Sequence, residues 1–384
     1  MVHILILGVG NLQAEVIAYC KSRGWIVHGL SYKKEGFGLS LVDHFAQINI
    51  TDKRSVLSYA KHHSIDLVYS MGSDIAAPTI SYVSEKLGLP CDVDEKTAIL
   101  LNNKRLFRNF LKKHRLSPVA YMTTSSIKGL RSWNTFPAMI KPVDSQGQRG
   151  TIKVANAREL RKYFPFSLTQ SREGNVIIEE YFEGNEYIIN CFLVGGKIKY
   201  CLISDRILLE NVFAIPDDAP RGIAFGHRIP ASISALQAKD ITRLITTVIK
   251  KLGVKNGNIS FQIRIAPQGI RIIEGTPRIC GDYIWRAWKY KYNIDIFQLT
   301  FDGLLTRKNR RTLKVPPLVE QYPNQLEVLY SHGKPGTLFS YPKKIKSRNV
   351  LDFGYFYHPG ERIRPVNGFM EKVGYRIIKT HAQQ

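Results

Sequence analysis

The chain has 384 residues, of which 44% are hydrophobic, and it carries a formal net charge of +24. This size and composition predict a folded protein of several lobes and exclude a disordered polymer. No apolar run approaches the roughly 20 residues of a membrane span, and the N-terminal HILILGVG lacks the basic leader of a secretory signal. The 5 cysteines are scattered without a CxxC pair, which argues against a zinc site and favours a cytoplasmic location.

The net charge of +24 predicts attraction to anions, such as nucleotides, acidic or phosphorylated substrates, nucleic acid or an anionic membrane surface. Basic residues concentrate in four segments, which are Lys104–Arg115, Arg158–Lys162, Arg307–Lys314 and Lys343–Arg348. Solvated faces of a basic protein explain these segments more simply than a dedicated nucleic-acid surface does. Nucleic acid is therefore an alternative partner that we do not favour, and the reason for the charge stays open.

Strands alternate with helices over the first part of the chain. HILILGVG reads as a strand and a glycine turn, NLQAEVIAYCKSRG as a helix, and WIVHGLSY as a second strand. The helix DKRSVLSYAKHH, the strand IDLVYSMGSD and the helix AAPTISYVSEKLGLP follow. This alternation predicts an α/β fold with a parallel-sheet domain at 1–95. The turn GVGNLQAE lacks the third glycine of a dinucleotide fingerprint, so no nicotinamide site is expected.

The rest of the chain divides by its patterns into three further parts. Residues 95–115 read as one amphipathic helix, and two strands around the polar loop DSQGQRG then lead into the helix ARELRKYF. A strand-rich stretch with one long helix follows, and after about 310 the chain becomes rich in Pro, Lys and aromatic residues. The predicted domains are 96–175, 176–310 and a small β-rich subdomain at 311–384.

A hairpin at 259–276 has the most defined predicted geometry. A three-residue loop ending in Gly269 would pair Ala266 with Ile270. The same register places polar side chains on one face as two cross-strand pairs, Gln262 with Glu274 and Ser260 with Thr276. Such an oxygen-rich face suits Mg²⁺ completed by water and phosphate, although a solvated amphipathic hairpin would show the same pattern.

Two more segments have features of a phosphate or nucleotide site. Lys141 ends an apolar strand, and the loop after it contains Gly147 and Gly150, whose backbone N–H groups can close over phosphates. In VIIEEYFEGNEY, strand backbone beside Glu180 and Phe182 could bond an adenine edge, and a later carboxylate could take the ribose hydroxyls. A surface loop and an exposed acidic turn are the structural alternatives.

These segments, in this order, resemble the ATP-grasp superfamily. The matching stretches are LLNNKRLFRNFLKKHRLSP, FPAMIKPVDSQGQRGTIKV, VIIEEYFEGNEY and NGNISFQIRIAPQGIRIIEGTPRICGD. The resemblance covers roughly residues 1–310, and it implies an ATP-grasp fold with an N-terminal Rossmann-like lobe and ATP and Mg²⁺ as cofactors, with Mn²⁺ as an alternative metal.

The resemblance also implies a role for each matching residue. Lys104 and Lys141 resemble the two ATP lysines, and Gly147 to Gly150 resemble the phosphate-covering loop. The nucleotide base and ribose would be held by Glu179, Glu180, Phe182 and Glu186. The magnesium ligands would be Gln262, Glu274 and Thr276. Arg278 resembles an arginine that steadies the transferring phosphate or the substrate carboxylate, and Arg206 is a candidate for holding the acyl phosphate, with a salt bridge to Asp205 as the structural alternative.

Two positions depart from the family pattern. The first metal position is usually Glu or Asp and here is Gln262, and the last is usually Asn and here is Thr276. Both changes remove favourable metal ligands, so metal binding would depend more on ATP itself. His227 is a candidate general base, although a lone histidine is more often structural.

The resemblance implies an ATP-dependent ligase that activates a small carboxylate as an acyl phosphate and joins it to an amine. A carboxylase that uses bicarbonate is a close alternative, because the N-terminal lobe and β-rich tail resemble that branch. A non-catalytic protein that binds anions or nucleic acid on a degenerate scaffold is the third hypothesis. A homodimer is what the family suggests, while the identity of the acid and the amine is not legible from the sequence.

Overall fold

The computed structural model describes residues 1–216, 219–306, 316–317, 325–341 and 348–380. The helices within these ranges are α1 (Asn11–Ser22), α2 (Lys53–His62), α3 (Ala77–Leu87), α4 (Glu95–Asn102), α5 (Lys104–Lys113), α6 (Ala157–Thr169), α7 (Ala235–Leu252), α8 (Ile284–Tyr292) and α9 (Ile296–Leu305). The strands are β1 (His3–Leu7), β2 (Ile26–Ser31), β3 (His44–Gln47), β4 (Leu67–Tyr69), β5 (Tyr121–Thr124), β6 (Ala138–Pro142), β7 (Ile152–Val154), β8 (Val176–Glu180), β9 (Asn185–Val194), β10 (Lys197–Leu208), β11 (Ala224–Ile229), β12 (Gly257–Ala266), β13 (Gly269–Thr276), β14 (Gln325–Gly333), β15 (Val350–Tyr355) and β16 (Glu371–Thr380). The predicted basic segments Arg307–Lys314 and Lys343–Arg348 lie outside the described residues, apart from Arg348.

The N-terminal lobe contains a parallel sheet with the strand order β3-β2-β1-β4. Side chains of β1 alternate between two apolar clusters, because successive residues of a strand point to opposite faces. Ile4 and Ile6 pack with α1, and Leu5 and Leu7 pack with α2 and α3. Helices therefore cover both faces, and the predicted parallel α/β lobe is confirmed.

A second sheet is antiparallel and has the strand order β5-β8-β6-β7. Helix α6 covers it through Leu160 and Phe164, which are buried among apolar side chains of the sheet. The predicted domain boundary after residue 175 would assign β8 to the next lobe. In the structure β8 pairs with β5 and β6 instead, so this lobe continues to about residue 180.

The largest sheet has eight strands in the order β13-β12-β9-β10-β11-β14-β16-β15. Helix α7 packs on one face, and α8 and α9 pack on the other together with the N-terminal lobe. The C-terminal strands β14, β15 and β16, predicted as a separate small subdomain, extend this same sheet from β11.

The basic segment predicted as one helix over 95–115 consists of two helices, α4 and α5, that meet at Asn103. The side chain of Asn103 accepts a hydrogen bond of 3.1 Å from the backbone N–H of Leu106. Asn is a strong N-cap residue, because its side chain satisfies an N–H group that the helix leaves without a partner. The break places Lys104 in the first turn of α5, at the edge of the site described below.

Within the residues that the structure describes, no helix combines the length and apolarity that crossing a bilayer requires.

Candidate active site

A cleft with about 150 Å³ of water-accessible space is lined by both antiparallel sheets and by the junction of α4 and α5. Ten of the predicted residues line it, and these are Lys104, Lys141, Gly147, Glu179, Glu180, Phe182, Glu186, Gln262, Glu274 and Thr276. Gly150, Arg206 and Arg278 lie just outside its lining. These ten residues are up to 172 positions apart in sequence, and they meet in one place.

The hairpin of β12 and β13 forms one wall of the cleft. Gln262 lies opposite Glu274 and Ser260 lies opposite Thr276, which confirms the predicted cross-strand pairs. The predicted pairing of Ala266 with Ile270 is wrong, because Ala266 pairs with Gly269 across a two-residue loop. A bulge next to Gln262 shifts the register by one residue and restores the predicted pairs at the cleft.

The chemistry of Glu186 fixes the orientation of the Gln262 amide. Gln262 Nε2 donates a hydrogen bond of 2.6 Å to Glu186 Oε2. An ionised carboxylate only accepts, so the amide must turn its N–H toward Glu186. The carbonyl oxygen of Gln262 is then left for a ligand in the cleft.

The metal-ligand set predicted from the sequence has one carboxylate, that of Glu274. Its side chain makes no hydrogen bond or ion pair within the described residues, whereas Thr276 Oγ1 lies 2.8 Å from Ser260 Oγ. No group of three or more His, Cys, Asp or Glu side chains in the described part of the chain is arranged to hold a metal ion. Glu274 and the Gln262 oxygen therefore fit a cation that takes most of its ligands from phosphate and water, as Mg²⁺ does.

Lys141 belongs to a buried ion-pair network in the wall of the cleft. Lys141 Nζ donates to Glu179 Oε2 at 2.8 Å, and Arg108 Nε donates to Glu179 Oε1 at 2.7 Å. Burial alone would raise the pKa of the Glu179 carboxyl, but the charges and hydrogen bonds of Arg108 and Lys141 lower it to about 2. Glu179 is therefore ionised at neutral pH, and it fixes the position of the Lys141 ammonium group.

Lys104 is the lysine of the basic helix that reaches the cleft, whereas Lys112 and Lys113 are exposed. Its Nζ donates a hydrogen bond of 2.6 Å to the carbonyl oxygen of Ser145, in the glycine loop. Burial lowers the pKa of Lys104, and repulsion from Lys141 acts in the same direction, while Glu274 opposes the shift. The lysine is therefore linked to the loop that would cover the phosphates.

The loop of residues 144–150 is anchored at its base and contacts the N-terminal lobe at its tip. Asp144 accepts hydrogen bonds from Ser171 Oγ at 2.9 Å and from the backbone N–H of Glu173 at 2.9 Å. Gly147 and Gly150 have φ angles of +69° and +70°, in the left-handed region that favours glycine. A Cβ on Gly150 would also lie 2.9 Å from a Pro142 side-chain carbon.

The end of β8 and the two residues after it line the cleft. Glu180 Oε1 accepts a hydrogen bond of 2.7 Å from the N–H of Ala120, and the carbonyl of Phe182 accepts one of 2.6 Å from Arg264 Nη1. The N–H of Phe182 makes no hydrogen bond within the described residues. This donor suits a ring nitrogen of a purine.

Glu186, predicted to bind ribose hydroxyls, is only 5% exposed and is held by three side chains. Oε2 accepts from Arg206 Nη1 at 2.7 Å and from Gln262, and Oε1 accepts from Arg264 Nη2. Burial alone would raise the pKa of Glu186, but Arg206 and Arg264 lower it. Any contact with ribose therefore competes with these bonds, and the ribose role stays a prediction.

Arg206 forms its salt bridge with Glu186 and not with Asp205, the structural alternative considered from the sequence. Adjacent residues of β10 point to opposite faces of the sheet, and Asp205 lies near Arg228 instead. Arg206 Nη2 also donates to the carbonyl of Gly222, at the rim of the cleft, at 2.7 Å. It is 6% exposed and does not line the cleft, so contact with an acyl phosphate would require a rearrangement.

Arg278, at the end of the hairpin, forms an ion pair with Asp74 of the N-terminal lobe. Arg278 Nε and Nη2 lie 2.7 Å and 2.6 Å from Asp74 Oδ1. Burial alone would lower the pKa of Arg278, but Asp74 raises it, so the guanidinium stays charged. The N–H of Asp74 also donates to Gln146 Oε1 at 3.1 Å. Asp74 therefore connects the arginine to the glycine loop.

The candidate base His227 is fully buried and does not line the cleft. Its Nε2 lies 3.4 Å from Asp282 Oδ2, and Asp282 Oδ1 accepts a hydrogen bond of 2.8 Å from Lys372 Nζ. Burial lowers the pKa of His227 although Asp282 favours its protonation. The imidazole is therefore neutral at pH 7 and lies out of reach of the cleft.

Three charged residues of the site were missed from the sequence. Asp74 lies in the loop after β4, five residues beyond the end of that strand, on the side of a parallel sheet where ligands commonly bind. Arg264 lies two residues from Gln262 on the same strand face, so the alternation that identified Gln262 also indicates Arg264. Arg108 lies four residues from Lys104 on α5, on the same side of the helix.

Residues 134–286 match the family model of the ATP-grasp domain. The phosphoribosylamine–glycine ligase of Thermococcus kodakarensis is 26% identical over 208 residues, which are 51% of this chain and 47% of that protein. The chain spans about half or less of the length of the curated relatives it matches.

Two solved structures have the same fold over nearly the whole chain. The L-amino acid ligase of Bacillus licheniformis has a TM-score of 0.83 at 17% identity and covers 100% of this chain and 94% of its own. The biotin carboxylase domain dimer of the Hydrogenobacter thermophilus 2-oxoglutarate carboxylase, solved with MgADP and bicarbonate, has a TM-score of 0.75 at 13% identity, covering 99% of this chain and 86% of its own. The α/β fold predicted from the sequence is therefore confirmed.

Proposed function

Because the chain carries an ATP-grasp domain at residues 134–286, we propose that it is an ATP-dependent carboxylate–amine ligase. It activates a small carboxylate as an acyl phosphate and couples it to an amine, releasing ADP and phosphate. The hypothesis of a non-catalytic binding protein is not favoured, because the relatives in sequence and the solved structures of the same fold include ligases.

The observation that carries this proposal is the charge arrangement of the cleft. Lys104 and Lys141 lie on one side and Glu274 on the facing hairpin, with the glycine loop hydrogen-bonded to Lys104. Two cations that face a free carboxylate suit a triphosphate with a bound divalent cation. Phosphoryl transfer needs mainly positioning and charge neutralisation, and these residues supply both.

The proposed reaction has two steps. A carboxylate oxygen of the acid attacks the γ-phosphorus of ATP, and the bond to the bridging oxygen breaks so that ADP leaves. The amine nitrogen then attacks the acyl carbon, phosphate leaves, and the nitrogen loses a proton. Lys141 would hold the departing nucleotide phosphates, and Arg278 would face the carboxylate or the transferring phosphate, because Asp74 keeps its guanidinium oriented.

Glu274 and the carbonyl oxygen of Gln262 would hold Mg²⁺, with Thr276 as a more distant hydroxyl. The ion would neutralise phosphate charge and orient the triphosphate. Mn²⁺ is an alternative occupant with the same preference for oxygen ligands. The N–H of Phe182 would donate to the adenine ring, and Glu186 would approach the ribose.

The test is ADP and phosphate release from Mg²⁺-ATP with a panel of amino acids, small carboxylates and bicarbonate. Lys141→Ala and Glu274→Ala should lower turnover by at least about 100-fold, since each removes an electrostatic contact to the transferring group. Lys250→Ala, at an exposed position of α7, is the control and should keep full activity.

Each outcome of the panel separates the hypotheses. Turnover that requires both an acid and an amine supports the ligase, and turnover with bicarbonate alone would favour the carboxylase. Tight ATP binding that persists in both variants would contradict the assignment of the cleft. The oligomeric state is measured in parallel, because a solved neighbour is a dimer and we propose a homodimer. We also propose a cytoplasmic location.

A further inference from the structure

The glycine loop, residues 144–150, contacts the N-terminal lobe and the C-terminal strands at neighbouring positions of its tip. The backbone N–H of Asp74, in the loop after β4, donates a hydrogen bond of 3.1 Å to Gln146 Oε1. One residue further along, a Cβ on Gly147 would lie 3.3 Å from Val366 Cγ1. Val366 therefore lies directly against the loop, in the turn that precedes β16.

The contact at Gln146 joins two groups that bind water when they are apart. A backbone N–H only donates, so the acceptor oxygen of the amide must face it. The N–H belongs to the first residue of the helical turn Asp74–Ala76, and Ser73 before this turn supplies no side-chain cap. The glycine loop therefore provides the acceptor. Because exchange with water leaves a small net gain, the contact can form and break reversibly.

Val366 is 50% exposed, but the turn that carries it is fixed. The buried carboxylate of Glu371 accepts hydrogen bonds from three successive backbone N–H groups, those of Val366 at 2.7 Å and of Asn367 and Gly368 at 3.0 Å. Three bonds to one oxygen hold the turn in a single geometry. The valine is therefore presented at a fixed place, and the loop can pack against it where Gly147 has no side chain.

Asp74 connects the tip of the loop to Arg278. Its backbone N–H bonds Gln146, while its Oδ1 accepts from Arg278 Nε at 2.7 Å. The backbone and the side chain of one residue move together, so a change at the first contact is transmitted to the second. Closure of the loop is therefore linked to the orientation of the guanidinium that we assign to the carboxylate or the transferring phosphate.

We propose that Gln146 and Val366 are positioning residues that hold the glycine loop closed over a bound nucleotide. Gln146 also couples this closure to Arg278 through Asp74, so that nucleotide binding prepares the site for the acid. The holding role requires only that the cleft binds a nucleotide. The coupling role rests on the proposed ligase function.

The first test is limited trypsin digestion of the full chain with and without MgADP, with mass mapping of cleavage after Arg149. Arg149 is an exposed residue of the loop, and cleavage there follows the open population when opening is fast. MgADP should slow this cleavage in the wild type. With MgADP present, Gln146→Ala should speed it about fivefold, the value of one neutral hydrogen bond. Val366→Ala should speed it about two- to threefold, because it removes a half-exposed apolar contact.

Each variant has a matched control. Gln47→Ala removes a glutamine amide that also makes a hydrogen bond of 3.1 Å to backbone, at the carbonyl of Tyr32, and that does not line the cleft. Leu236→Ala shortens an apolar side chain of α7 that is 67% exposed. Val366→Ile keeps the apolar contact and should behave as wild type. Absence of protection by MgADP in the wild type, or equal cleavage after Arg149 in each variant and its control, would overturn the holding role.

The second test measures coupling by calorimetry, with the acid that supports turnover and a non-hydrolysable ATP analogue. The analogue should tighten binding of the acid about fivefold or more in the wild type, and at most about twofold in Gln146→Ala. Val366→Ala should keep the wild-type ratio at saturating analogue, because its contact does not involve Asp74. An unchanged ratio in Gln146→Ala would overturn the coupling. If no acid supports turnover, the ligase proposal and the coupling both fail, whereas the trypsin test still decides the holding role.

Discussion

The buried network around Glu179 provides the most quantitative prediction of the structure. Its side chain is 7% exposed, and those of Arg108 and Lys141 are 5% and 10% exposed. We predict that Glu179→Gln, which keeps the size and removes the charge, lowers the free energy of unfolding by about 3 kcal/mol at pH 7. The substitution leaves two buried cations without their counter-charge, and breaking such a network costs about 3–5 kcal/mol.

The lowered pKa of Glu179 is consistent with this magnitude. The folded value of about 2 lies below the ordinary value of 4.5, and each pKa unit corresponds to about 1.4 kcal/mol, so ionisation contributes about 3 kcal/mol. A depressed carboxyl pKa stabilises the folded state above the unfolded pKa. The contribution is therefore full above about pH 5 and is lost as pH falls from there toward 2.

The assay is thermal and urea unfolding of the wild type, Glu179→Gln and Glu183→Gln between pH 3 and 8. Glu183 is the control, because its side chain is 72% exposed and, among the described residues, forms an ion pair with Lys153 alone. Glu179→Gln should lower the Tm by about 4 °C at pH 7, and the gap to wild type should narrow below pH 4.5. Equal unfolding of the two variants at pH 7, or a gap that does not change with pH, would refute the reasoning.

Three further predictions concern the site. Asp74→Asn should lower kcat by about tenfold or more, because Arg278 loses its counter-charge. The KM for ATP should change little, because the lysines of the cleft stay in place. An unchanged kcat in steady-state assays would contradict the positioning role of Asp74. Gly150→Ala should weaken nucleotide binding in calorimetry more than Gly174→Ala, since both residues have left-handed φ angles but only Gly150 lacks space for a Cβ. Gln262→Glu should lower the Tm at pH 8, because the new carboxylate lies beside Glu186 and repels it. This repulsion raises the pKa of the new carboxyl, so it is protonated at pH 5 and part of the lost stability returns. A Tm difference from wild type that is the same at both pH values would argue against this contact.

Local patterns predicted the parts of the site that lie on single elements. The polar face of the hairpin follows from strand alternation. The predicted cross-strand pairs are correct although the predicted loop is one residue too long, because a bulge next to Gln262 shifts the register by one residue. The parallel lobe follows from alternating strands and helices. The break at Asn103 was missed because the apolar face continues across it, although Asn before a basic helix is also an N-cap signal.

Contacts between elements could not be predicted in this way. Glu179 was assigned to the adenine-binding segment, and nothing in its own strand indicates that its partners are Arg108 and Lys141, 71 and 38 residues away in sequence. The ion pair of Asp74 with Arg278 spans 204 residues. Such pairs depend on how the lobes pack, which is a tertiary property that strand and helix periodicity do not encode.

The glutamine at the proposed first metal position can be understood from its neighbours. Glu186 already neutralises Arg206 and Arg264, and its Oε2 also accepts from Gln262. A carboxylate at position 262 would face this buried acid and repel it, whereas an amide donates to it and keeps a carbonyl oxygen for the metal. Gln262 therefore has two effects: it removes one negative charge from the proposed metal ligands, and it stabilises the Glu186 network. Because Glu274 is then the sole carboxylate among the proposed metal ligands, metal affinity should depend on the phosphates of ATP more strongly than in a site with two carboxylates.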